Sequence, residues 1–133
     1  HLPFQAGKRL LAECARVLKP GGTIRLATPD LTGLARAYLD RSERSLAWYR
    51  KQFGGITTYA QMFNTGMRAW GHQFLYDEEA LRSVLEPQGL EVSRVGYNES
   101  PDPELRGLEF RDTAEGAQSM YIEARRPGAA AVN

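Results

Sequence analysis

His72 is the residue of this chain best suited to take a proton. An unperturbed imidazole titrates near neutrality, and His72 sits in a short loop stretch, Trp70-Gly71-His72-Gln73-Phe74, among aromatic neighbours. A ring nitrogen in such a setting can serve as a general base; the competing reading is a loop histidine bonded to backbone. Tyr76 and Asp30 offer a phenol and a carboxylate that can position a bound molecule, although Tyr76 equally fits a packed ring and Asp30 a helix cap. Phe63 and Trp70 are large aromatic surfaces in the same stretch as His72. Cys14, the single cysteine, falls within an amphipathic pattern and reads as a packed side chain. No histidine, cysteine or carboxylate group has metal-ligand spacing, and no nucleophile elbow is present. None of the 13 glycines forms a G-x-G pair, so a phosphate-cradling loop is absent from these residues.

The chain that must position these groups has 133 residues, enough for one domain with a real core. Net charge is +1 with basic residues scattered, which gives no electrostatic case for nucleic acid or a membrane surface. A lone cysteine rules out an internal disulfide and suits a reducing, cytoplasmic setting. No apolar run approaches the ~18 residues of a membrane span. No signal sequence is visible, and a start at His1 reads as a chain processed, trimmed or cut from something longer.

The organising stretch is Arg16 to Asp30. A helix over Gln5 to Leu18, with Leu10, Leu11, Cys14, Val17 and Leu18 as its apolar stripe, must stop at Lys19, because Pro20 cannot continue it. Gly21-Gly22 permit a tight reversal, and Thr23 to Thr28 read as a short buried strand. Pro29-Asp30 ends the strand and opens a second helix with Leu31, Leu34, Ala35, Tyr38 and Leu39 inward. That pattern can run to about Arg50, with a break near Asp40–Ser45. Residues 48–76 hold eight of the 13 aromatics, interrupted by glycines, and form either a substrate lid or a satellite core. Within them Thr57 to Met67 reads as a short helix with Tyr59, Met62, Phe63 and Met67 on one side. Asp77 caps a helix with Leu81, Val84 and Leu85 buried, stopped by Pro87 and Gly89. Leu90 to Tyr97 reads as a strand with Leu90, Val92 and Val95 inward, and Gly96 as a bulge. Asn98 to Gly116 is a polar connection. Ser119 to Arg125 is the last strand, with Met120, Ile122 and Ala124 alternating inward. Pro127 to Asn133 is a small-residue tail read as disordered. The sum is an α/β fold over residues 1–126 without a second domain.

Two stretches carry a resemblance. Glu13 through Asp30, with its Arg16-Val17-Leu18-Lys19-Pro20-Gly21-Gly22 run, resembles the approach to the fifth strand of class I S-adenosylmethionine-dependent methyltransferases of the type 11 kind. His72 through Gly89 and the segments Asn98-Glu99-Ser100, Pro103-Glu104-Leu105-Arg106 and Ser119 to Ala124 are similar to the later part of small members of that class. The resemblance implies the carboxyl-terminal half of a Rossmann-like methyltransferase sheet, its last three strands, with the final one antiparallel between the other two. It implies S-adenosyl-L-methionine as cofactor, with His1 and Leu2 matching a pair near the sulfonium. His72 would be the base, Asp30, Phe63, Trp70 and Tyr76 would meet a small or lipid- or sugar-like acceptor, and no metal is implied. The family's glycine-rich cofactor turn would lie upstream of His1, so these residues alone are not expected to bind the cofactor tightly. The alternative expectation is an inactive methyltransferase-like module. Its first strand, unpaired on one side, would recruit a second copy or another partner.

Overall fold

The computed structural model describes residues 1–110 and 118–129. Three strands form one sheet: β1 (Thr23–Pro29), β2 (Glu91–Val95) and β3 (Ser119–Arg125). Their order is β1-β3-β2, with β3 antiparallel to both neighbours, so β1 and β2 run parallel to each other at the two edges. A central antiparallel last strand is what the resemblance implied; it is not the order of an all-parallel doubly wound sheet. Gly21, at φ +80, makes the reversal into β1, and its N–H donates to the carbonyl of Arg126 at 2.9 Å. Such a turn favours a residue without Cβ.

Helices α1 (Phe4–Val17) and α5 (Glu78–Leu85) cover one face. There Leu11, Ala15, Leu81, Val84 and Leu85 pack on Met120, Ile122 and Ala124, with Ile24, Leu26 and Val92 partly buried beside them. α5 starts at Asp77, whose carboxylate accepts from the Ala80 N–H at 2.8 Å, and ends as Pro87 and a left-handed Gly89 require.

The α1 stripe differs from expectation. Leu10 is 53% and Val17 65% exposed, while Gly7, Leu11 and Ala15 face the sheet. The close approach decides this, because a Cβ on Gly7 would lie 2.5 Å from the Tyr76 hydroxyl.

α2 (Leu31–Leu39), α3 (Glu43–Phe53) and α4 (Tyr59–Arg68) form a second core of Leu34, Ala37, Leu46, Tyr49, Ile56, Met62 and Leu75. The helical run does break at Asp40–Ser42, where the Ser42 hydroxyl caps α3 by accepting from the Ser45 N–H. Tyr38 and Leu39 are exposed, contrary to the expected stripe, because Leu34 and Ala37 hold the contact with α4. Much of the aromatic stretch is thus a satellite core rather than a loose lid.

The strand patterns need two corrections. Val95 pairs with Tyr121 and lies on the sheet face opposite Val92, as a two-residue period demands. In β3 the residues expected to face solvent, Tyr121 and Glu123, are buried as fully as Met120 and Ile122. The connection after β2 folds back over that second face. Gly96 is not a bulge; it lies past the strand, and its carbonyl accepts from the Glu99 N–H at 3.1 Å. Residues 111–116 of that connection and 130–133 of the tail lie outside the described residues.

Candidate functional site

The carboxyl end of β1 is where the chain gathers its chemically capable side chains. Asp30 N–H donates to the Gln118 carbonyl at 2.6 Å, and Leu31 N–H to the Tyr76 carbonyl at 2.9 Å. These two bonds tie the Trp70–Tyr76 segment to the strand end and to the start of β3. The amino terminus reaches the same place. Gln73 Nε2 donates to the His1 carbonyl at 2.7 Å, and the His1 and His72 rings lie 5.1 Å apart.

Aromatic rings continue in both directions. On one side Trp70 lies 5.6 Å from His72 and 4.9 Å edge-on from Phe53. On the other Phe4, Phe74 and Tyr76 meet at 4.7 and 4.8 Å. Burial raises the Tyr76 phenol above its ordinary range, so it stays protonated at neutral pH and can only donate or accept as a hydroxyl.

His72 is oriented by backbone. Its Nδ1 lies 3.3 Å from the Gly66 carbonyl at the end of α4. A carbonyl only accepts, so Nδ1 carries the hydrogen and the lone pair of the neutral ring sits on Nε2. That is the arrangement a proton acceptor needs, and it also satisfies the bland expectation of a backbone-bonded loop histidine. Trp70 has φ +59 and ψ 17, the left-handed region, and Gly71 follows at φ +76. A non-glycine residue there stores about 1–3 kcal/mol, yet the Trp70 ring remains 50% exposed.

The structure therefore brings together His1, Trp70, His72 and Tyr76; Leu2 adjoins them in sequence and is exposed. Phe63 and Asp30 are elsewhere committed. Phe63 packs on the satellite core, its ring 5.3 Å from Tyr38. Asp30 is 5% exposed and caps α2 through Thr32 N–H at 3.1 Å, while its other oxygen accepts from Arg94 Nη2 at 2.8 Å. It does line a cleft of about 520 Å³ with Arg36, Arg94 and Gln118.

Sequence reasoning missed a buried ion cluster on the second sheet face. Arg25 grips Glu109 with two nitrogens, at 2.7 and 2.9 Å, and Glu123 with a third at 2.6 Å. Its guanidinium also donates to the Glu99 carbonyl at 2.9 Å, and the Asn98 N–H donates to Glu109 at 2.7 Å. These side chains are 6, 11 and 7% exposed for Arg25, Glu109 and Glu123. The Arg25 hydrogen bonds hold the Glu109 carboxyl below the usual carboxylate range and raise the Arg25 guanidinium further. A charged residue at alternate positions of two otherwise apolar strands, Arg25 and Glu123, was the available signal. The cluster satisfies itself and clasps the Asn98–Glu109 segment to the sheet.

The described residues do not fit S-adenosyl-L-methionine by themselves. The carboxylate at the end of β1 has both oxygens engaged, and it also occupies the Thr32 N–H at the following helix start. The Gly21-Gly22 turn lies at the opposite end of that strand. No group of three or more metal-ligating side chains occurs among the described residues, and none of their helices is long and apolar enough to cross a membrane. Comparison with known protein families, with curated proteins and with solved structures finds no match to this chain.

Proposed function

We propose that these residues form the carboxyl-terminal, substrate-side portion of a class I S-adenosylmethionine-dependent methyltransferase acting on a small acceptor. The observation that supports this most is the β1-β3-β2 order with an antiparallel middle strand. His1, Trp70, His72 and Tyr76 gather at the carboxyl end of β1, where open α/β sheets bind ligands. The cofactor would be held mainly by residues outside those described, and His1 and Leu2 would border it. The test is isothermal titration of S-adenosyl-L-homocysteine into the complete gene product that carries this segment. Saturable heat supports the reading, and its absence together with no change in melting temperature overturns it.

A second reading rests on a different observation. Among the described residues β1 pairs on one side only, with β3. An unpaired strand edge recruits another chain, and a module that self-associates through β1 would need no cofactor.

A further inference from the structure

Trp70 is held in a conformation its side chain resists, with its ring half exposed beside a histidine whose hydrogen is already assigned. Strain of this kind persists where the surroundings over-determine it, and it concentrates at ligand clamps. Glycine at position 70 would remove the strain, and a polar residue would suit the exposure. What tryptophan supplies instead is a large rigid face 5.6 Å from His72. Phe53 stands edge-on behind it at 4.9 Å and fixes the indole plane. His72 Nε2, with no partner of its own among the described residues, is the acceptor nearest that face. A flat ring stacked on the indole would thus meet a hydrogen-bond acceptor at its rim.

We propose that Trp70 and His72 form a subsite for a planar, hydroxyl-bearing aromatic ring of the phenol class. The ring stacks on Trp70 and its hydroxyl donates to His72 Nε2. This rests on the methyltransferase reading and names the acceptor class for the same site. The surroundings favour a phenol over a sugar. Phe4, Phe53 and Phe74 supply apolar ring contacts, whereas a sugar would need several polar partners for its hydroxyls.

The experiment uses the Trp48→Phe variant, which leaves Trp70 as the sole fluorophore of the two tryptophans. Emission is followed during titration with p-cresol, toluene, cyclohexanol and methyl β-glucoside. Saturable quenching by p-cresol is expected, with affinity about 5-fold above toluene, the worth of one hydrogen bond. His72→Ala should bring p-cresol to the toluene level. Equal affinity for p-cresol and toluene, unsaturable quenching, or binding of cyclohexanol or the glucoside as tight as p-cresol each overturns the proposal. Chemical-shift mapping on the unmodified protein gives a second readout. Shifts confined to the Trp70 indole and His72 imidazole support it, and shifts elsewhere only count against it. Failure here with intact S-adenosyl-L-homocysteine binding rejects the acceptor class and spares the parent reading; the reverse pattern rejects the parent reading alone.

Discussion

Single side chains set the two tightest constraints in this molecule, and both concern charge taken out of water. Arg25 lies between two buried glutamates, so removing it leaves two carboxylates without their cation. Arg25→Met should cost about 3–5 kcal/mol, the penalty for breaking a buried ion pair from one side, measured by urea unfolding. Glu109→Gln should cost less, because Arg25 keeps Glu123 and the Glu99 carbonyl. The same pair gives a pH signature. Glu109 has a lowered folded-state pKa, from an ordinary value of 4.5, so the unfolded chain takes up its proton first as pH falls. The stability that Glu109 contributes is fully present above about pH 5–6 and is lost as pH drops through the lowered value. Urea midpoints from pH 7 to pH 3 should fall more steeply for the wild type than for Glu109→Gln. Asp30→Ala removes a helix cap and frees Arg94, and a loss of about 1–2 kcal/mol is expected from the cap alone.

At the scale of elements, packing overrides propensity at α4. Gly66 is buried against α2 and α3, and an added Cβ would sit 2.7 Å from the Tyr49 hydroxyl and 2.8 Å from Leu34. Alanine would gain about 1 kcal/mol of helix propensity. Overpacking of about 1–3 kcal/mol works against it, and because Leu34 belongs to the satellite core, the net sign should be destabilising. Thermal unfolding of Gly66→Ala checks this. The substitution should also disturb His72, whose Nδ1 is held by the Gly66 carbonyl. A shifted imidazole resonance with the far-ultraviolet spectrum unchanged would show that coupling directly. Burial pushes the Tyr49 phenol up to about 12, as expected of a ring sealed between α3 and α4.

For the whole molecule, the sheet is covered on one face by two helices and on the other by the Asn98–Phe110 segment, while the β1 edge is unpaired among the described residues. The 133-residue chain should therefore sediment as monomer at low concentration and as dimer at high concentration. Ala27→Lys, which places a charge on that edge strand, should shift it back to monomer; a concentration-independent monomer would speak against pairing through β1.

How much of this was legible follows from which forces are local. The sequence by itself determined the turn at Pro20-Gly22, the Asp77 cap, the break near Ser42 and the span of β3. Each depends on backbone freedom or a short-range hydrogen bond that neighbouring residues specify. It also placed His72 among aromatics. Only the tertiary structure decided that Leu10 and Val17 face outward, that Tyr121 and Glu123 are buried, and that His1 stands against His72. Those outcomes depend on segments distant in the chain arriving at one place. The clearest case is Glu109, 84 residues from Arg25. Neither residue's neighbourhood reveals the other, because the Coulomb energy that joins them exists only once folding has excluded the water between them.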